Sequence, residues 1–284
     1  MRKVLFPSCV VMAFMVLAAL SLPAAADNFI ILQSTTSTQN AGLFEFILPL
    51  FKKKTGIEVR VVAVGTGQAL RNAKNGDGDV VLVHSPEDEE AFVKEGWGVK
   101  RYPVMYNDFV IVGPAADEAG IAGLDDASQA FRKIAGARSS FASRADDSGT
   151  HKAELKLWQR AGVVPTASSG GWYLETGSGM GATLNLAVGK NAYALTDRAT
   201  WLSFANKRDH RILVQGDRAL INQYGVILVN PRKHATVKAV EGQALIDWLT
   251  GDEGQAAIAG YTIKGQQLFF PNAKEGVFDG RYGH

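Results

Sequence analysis

Residues 58–83 read EVRVVAVGTGQALRNAKNGDGDVVLV. A run of β-formers from Glu58 to Val64 stops at Gly65-Thr66-Gly67, an amphipathic stretch continues to Asn75-Gly76, and Val80 to Val83 supplies a short apolar run. Strand, glycine turn, helix and strand in that order make a βαβ unit, so the neighbouring strands are expected to run parallel. The pattern extends both ways. Upstream, Phe29-Ile30-Ile31-Leu32 reads as a buried strand, followed by a helix from about Gly42 to Lys54. That helix sets Leu43, Phe46, Ile47, Leu50 and Phe51 on one face and stops at Gly56. Downstream, Ser85-Pro86 opens a helix whose first turn, Glu87-Asp88-Glu89-Glu90, suits the positive end of a helix dipole.

Asn107-Asp108 and Phe109 to Gly113 form a further strand, and Tyr224 to Asn230 has a similar apolar pattern. Such a pair is read as two crossings of a hinge. A second α/β set lies between them: strands at 140–143, 192–196 and 211–215, with helices at 149–160, 180–188 and 197–206. The helix Val237 to Leu249 then returns to the first set, and the Gly/Ser segment 167–171 reads as a surface loop. The chain is thus expected to be an α/β protein of two lobes, with 27–109 and 226–284 in the first and 110–225 in the second.

Arg2 and Lys3 precede an apolar run from Val10 to Leu22 that ends in Ala24-Ala25-Ala26, which is the pattern of a cleavable secretory signal over residues 1–26. The expected mature chain keeps 258 of the 284 residues and loses the single cysteine, Cys9, which excludes disulfides. Without Arg2 and Lys3 the 30 basic residues fall to 28, equal to the 28 acidic ones. Bulk charge therefore cannot attract an anion or a nucleic acid, and any anion site must be built locally.

Four stretches put hydroxyls or glycines where strands end and helices begin, the place where open α/β sheets bind ligands. They are Ser34-Thr35-Thr36-Ser37, Gly65-Thr66-Gly67, Ser143-Arg144 to Ser148-Gly149-Thr150, and Gly177 to Gly181. Free N–H groups at helix N-termini hold anions without net charge, and Arg144 adds a planar, permanent cation. Plainer readings compete: N-capping at 34–37, turn glycines at 65 and 67, and a tight strand-to-helix turn at 177–181. Arg144 is different, because a cation before a helix start gains nothing from the dipole. Asp146 is close enough to brace it, although Asp146 or Asp147 could simply cap the helix.

Other chemistries lack their residues. Leu70 stands where a dinucleotide fingerprint needs its third glycine, there is no Gly-x-Ser-x-Gly elbow, and the five histidines show no metal-ligand spacing.

Ser34 to Ser37, Ala63 to Leu70, Tyr106 to Pro114, Ser143-Arg144 to His151, Trp172 to Gly177 and Leu195-Thr196-Asp197-Arg198 resemble, in that order, the periplasmic tungstate-binding proteins of ABC transporters over nearly the whole mature chain. The resemblance implies a type II periplasmic-binding-protein fold with two crossing strands and the ligand in the cleft. It places ligand donors at Thr35, with Thr36 beside it, and at Thr66, Arg144 and Thr150, with Ser148 and Gly149 adjacent. It further implies a monomeric periplasmic binding protein, not an enzyme, with no cofactor and no metal cation. The ligand would be tungstate, with molybdate as a weaker one, and the partner an inner-membrane permease, with no nucleic acid. The run Arg-x-Asp-x-Ser-Gly-Thr at 144–150 also resembles the corresponding loop of phosphate-binding proteins, which supplies the alternative ligand; an exported phosphate-ester hydrolase is a further alternative. A protonated phosphate needs a carboxylate acceptor, whereas fully deprotonated tungstate needs donors alone, and Asp146 and Asp147 keep the first option open.

Overall fold

The computed structural model describes residues 28–274, so the expected signal at 1–26 lies outside the described residues. Strand β1 (Phe29–Thr35) leads through α1 (Thr36–Asn40) and α2 (Leu43–Thr55) to β2 (Glu58–Val64). Helix α3 (Thr66–Asn75), β3 (Val80–Val83) and α4 (Pro86–Lys94) follow, and then the long strand β4 (Gly98–Pro114). Beyond β4 come α5 (Ala127–Ala137), β5 (Phe141–Ser143), α6 (Gly149–Ala161), β6 (Tyr173–Glu175) and α7 (Met180–Lys190). Strand β7 (Tyr193–Asp197), α8 (Arg198–Ser203) and β8 (His210–Val214) precede the second long strand, β9 (Ile221–Val229). The chain continues with α9 (Ala239–Thr250), α10 (Asp252–Gly260) and three two-residue strands, β10 (Thr262–Ile263), β11 (Gln266–Gln267) and β12 (Phe270–Pro271).

The βαβ unit read from 58–83 forms with those boundaries, and β1 pairs parallel with both β2 and β3. Strand order is β2-β1-β3-β9-β4-β7-β5-β6. Within it, β4 changes partners: Gly98 to Asp108 pairs antiparallel with β9, whereas Phe109 to Pro114 pairs with β7 and β8. Arg198 donates to both oxygens of Asp108 (2.9 and 3.1 Å) where the exchange occurs.

The apolar cores divide at the same place. A large core joins residues between Ile30 and Met105 to those between Tyr224 and Phe269, takes in α9 through Leu245, Ile246 and Leu249, and reaches across only to Ala199 of α8. Two smaller clusters, drawn from Phe109 to Leu220, pack on the β5–β7 region. Helix α2 departs from its expected face. Phe44 is buried with Leu43, Ile47 and Phe51, while Phe46 and Leu50 are each 44% exposed. Positions 43, 47 and 51 stack at i+4 spacing toward the sheet, which puts 46 and 50 on the rim, where Phe46 meets the Tyr261 ring at 5.4 Å. The acidic first turn of α4 also does more than face the dipole. Glu89 is fully buried, accepts from Ser85 N at 2.6 Å and is ion-paired with Arg101 at 2.7 Å.

Near Phe131, Phe141 and Trp158, whose rings meet at 4.3 to 5.3 Å, sits a buried carboxylic acid, Glu154. Its Oε1 accepts from Tyr173 Oη at 2.8 Å and from Trp158 Nε1 at 3.1 Å. Burial outweighs these bonds and raises its pKa from 4.5 to about 7. A folded-state pKa above the unfolded one gives stability that is complete below about pH 4.5 and is lost as pH rises through 7. Glu154→Gln keeps the acceptor oxygen and removes the ionisation. In urea unfolding it should match the parent near pH 4.5 and exceed it at pH 8, by about 3 kcal/mol at most. An unchanged difference between those two pH values would show that Glu154 does not carry the shift.

Candidate functional site

The loops that follow the C-terminal ends of β1, β2 and β5 each enter a helix within a few residues, and because β5 runs opposite to β1 and β2 the start of α6 faces those of α1 and α3. In the first loop, Ser34 Oγ donates to Leu82 O at 2.6 Å, which makes Ser34 a structural residue. Thr35 caps α1, accepting from Thr38 N at 3.4 Å, and its hydroxyl lies 2.7 Å from that of Thr38. Thr36 lines a cavity of ≈ 220 Å³ with Ser37, Asn40, Arg144 and the turn into α7 at Gly179 to Ala182. In the second loop, extended Gly65 leads into Thr66, the first residue of α3. Thr66 is 0% exposed and its hydroxyl has no hydrogen-bond partner.

The third loop is sharply bent. Ala145 and Asp147 both have left-handed backbones, at φ 47° and 56°. Between them, Asp146 braces Arg144: its Oδ2 accepts from Nε at 3.1 Å and Nη2 at 2.5 Å, and its Oδ1 accepts from Ser148 N at 3.2 Å. Burial raises the Asp146 pKa, but the bonds from Ser148 and Arg144 outweigh it and hold the carboxyl below its usual range. Arg144 itself is 3% exposed. The helix cap is Ser148, whose Oγ accepts from His151 N at 3.2 Å. Asp147 is exposed and paired with Lys152 (3.3 Å) and Arg71 (3.5 Å). Thr150, one residue into α6, is 1% exposed, and its hydroxyl too has no partner.

Contacts across the cleft bring these loops together. A β-carbon on Gly67 would strike the Asp147 carboxylate, and one on Gly149 would strike the His84 ring. Glu87 and Asp88 of α4 pair with Lys156 (3.0 Å) and Lys152 (2.9 Å) of α6. Gly149 thus stands where a side chain cannot, at a close approach between the end of β3 and the start of α6. His84 is buried, and desolvation lowers its pKa to about 4; the Asn222 bond opposes that shift and the Arg144 charge adds to it. The ring is therefore neutral at pH 7, and its Nδ1 lies 2.9 Å from Asn222 Oδ1.

Of the residues expected from sequence, Thr36 and Arg144 share one cavity, while Thr66, Ser148, Gly149 and Thr150 occupy the facing helix starts. Thr35 is the helix cap of α1, and its neighbours Thr36 and Ser37 form the wall of that cavity. His84, Thr38, Asn222 and Tyr224, which underlie the wall, carry no motif. The turn at Gly177 to Gly181 is the tight turn expected, with Gly177 at φ 58°, and it also faces Arg144. Among the described residues no group of acidic, histidine or cysteine side chains could hold a metal ion, and no helix is long and apolar enough to cross a membrane.

A family model described as a PBP superfamily domain matches residues 22–253. The tungstate-binding protein TupA of Peptoclostridium acidaminophilum is 46% identical over 252 residues, covering 87% of each chain. Two solved structures are similar throughout. One is the tungstate-binding protein TupA of Desulfovibrio alaskensis G20 (43% identity, TM-score 0.77, covering 87% of this chain and 99% of that one). The other is the tungstate ABC transporter protein of Geobacter sulfurreducens (48% identity, TM-score 0.76, covering 83% and 100%).

Two buried hydroxyls without partners are a standing cost to the unliganded fold, of about 1 to 3 kcal/mol each. Thr66→Val and Thr150→Val keep the branched shape and remove that cost. Each unliganded variant should melt at or above the parent temperature, whereas an ordinary buried Thr→Val loses a bond and melts lower. Lower melting for both in differential scanning calorimetry would mean that the hydroxyls serve the fold.

Proposed function

This chain belongs to the PBP superfamily and, within it, to the tungstate-binding solute receptors of ABC transporters, and from that premise we propose that it captures tungstate between its two lobes and delivers it to a membrane permease. Its work is binding and release, not turnover. The observation that carries the reading is the pair of buried, unpartnered hydroxyls of Thr66 and Thr150 in the first turns of α3 and α6, whose loops meet where Gly67 approaches Asp147, together with the buried Arg144 of the loop into α6. Donors from helix N-termini and a braced guanidinium suit a small dianion.

The state of the carboxylates separates the candidate ligands. A protonated phosphate needs an acceptor, but both oxygens of Asp146 are engaged and Asp147 is turned out to Lys152 and Arg71. That leaves a donor-rich site suited to a fully deprotonated oxyanion, which disfavours phosphate. Tungstate and molybdate share charge and shape, and the preference for tungstate rests on the relatives. We place the ligand donors at Thr35, Thr36, Thr66, Arg144, Ser148, Gly149 and Thr150, and the lobe boundary at the partner exchange in β4. The protein is assigned to the periplasm as a monomer, exported by its first 26 residues.

Isothermal titration with tungstate, molybdate, hydrogen phosphate and sulfate tests the assignment. Tungstate should bind most tightly, and tight phosphate binding without tungstate binding would overturn the reading. Arg144→Ala should weaken tungstate binding by about 2 to 5 kcal/mol, roughly 30-fold to several thousand-fold, because it strips charge-assisted bonds from a buried dianion. Arg144→Lys should recover part of the loss, since an ammonium lacks the planar fork. Undiminished affinity in Arg144→Ala would remove Arg144 from the site.

A further inference from the structure

The binding reading gives no role to the ion pairs that cross the cleft, yet most of them join into one chain of alternating sign. Asp88 of α4 is paired with Lys152 of α6 at 2.9 Å, Lys152 with Asp147 at 3.3 Å, and Asp147 with Arg71 of α3 at 3.5 Å. In that order the chain leaves the first half of the molecule at α4, passes through two residues of the second, and returns to the first at α3. A separate pair, Glu87 with Lys156 at 3.0 Å, joins the preceding residue of α4 to the next turn of α6.

Exposed ion pairs contribute little one at a time, and three features set this chain apart. Its central pair is half-buried, with 26% of the Lys152 side chain and 35% of the Asp88 side chain exposed, against 77% for Glu87. Asp88 is already fixed before Lys152 meets it, because Ser85 Oγ donates to its Oδ2 at 2.6 Å, so little side-chain freedom is lost in pairing. Gly67 leaves the space that the Asp147 carboxylate fills, since a β-carbon there would strike it. Burial lowers the Lys152 pKa, but the bonds and charges of Asp88 and Asp147 outweigh it and the net shift is upward. Burial raises the Asp88 pKa, and the bonds from Ser85 and Lys152 turn the net shift downward. Both groups are held in their charged forms.

We propose that Asp88, Lys152, Asp147 and Arg71 form a clasp across the cleft that sets how long a bound anion is held, because the two halves cannot part without breaking it. The inference rests on the oxyanion reading of the site, with release by opening of the cleft. None of the four is among the ligand donors assigned above, so they act as positioning residues, through the closed arrangement alone.

The sign of the charge effect tests this. Asp88→Asn removes a negative charge from the neighbourhood of an anion, so a plain field effect would tighten tungstate binding. The clasp requires the reverse: Asp88→Asn should weaken binding about twofold to fivefold, mostly through faster release in stopped-flow measurements. Lys152→Met should weaken it at least as much, since it also loses Asp147, and the double variant should be no worse than Lys152→Met alone. Added salt should speed release from the parent more than from the double variant. Unchanged or tighter binding in folded Asp88→Asn, or additive losses in the double, would sink the proposal. Should Asp88→Asn not fold, Glu87→Gln on the exposed pair is judged by the same sign. The pairing is also tested without ligand. In urea unfolding at low salt, a cycle of the same variants should find Asp88 and Lys152 coupled by about twofold to fivefold in the unfolding constant. Absence of that coupling would overturn the clasp whatever the protein binds. A parent that binds no tungstate would remove the functional reading, and the coupling would then judge the clasp alone.

Discussion

Everything in this molecule hangs on one strand changing partners. Up to Asp108, β4 is hydrogen-bonded to β9; from Phe109 it is bonded to β7 and β8. A strand satisfies its backbone groups on both edges, so an exchange of neighbours at one point joins two sheets without a break in pairing. The apolar cores part at the same residue, and the helix starts of the two halves come to face one another. The Arg198–Asp108 ion pair, placed at the exchange, ties the start of α8 to that point of β4.

The facing helix starts solve an electrostatic problem. Acidic and basic residues balance once the first 26 positions are set aside, so no long-range field draws an anion in. Attraction has to come from backbone dipoles, hydroxyls and one guanidinium at short range. Asp146 contributes by what it removes from play, since its two oxygens orient Arg144 and the Ser148 N–H and offer nothing further to a ligand. A carboxylate in the binding loop thus preserves the donor character of the site.

The parallel α/β organisation was legible because it is written in local signals: glycine stops, capping residues and the apolar runs at 58–64 and 80–83. The crossing strands were legible as a similar pair, although β4 begins nine residues before Asn107, because its early residues Val99 to Pro103 are exposed or half-buried and include Lys100, Arg101 and a proline. Helix α5 has no strong start signal beyond Asp126, and β6, at three residues, is too short to carry a periodicity. In the site, Arg144 and the threonines could be singled out because a cation or hydroxyl at a helix start has a chemical meaning by itself. His84, Asn222 and Tyr224 had none, since they matter through pairings 138 and 117 residues apart along the chain, His84 with Asn222 and Asn107 with Tyr224. The fourth glycine turn read correctly as a turn, and its second role as a cavity wall depends on tertiary placement alone.

The glycine at 149 has a mechanical meaning. Because its missing β-carbon is where the His84 ring sits, the two halves meet there by backbone against ring, and neither surface can yield. Such a contact leaves no room for a side chain: any residue larger than glycine at 149 would have to push the ring aside or hold the two surfaces apart, so the fit between them is set by a residue that has no side chain.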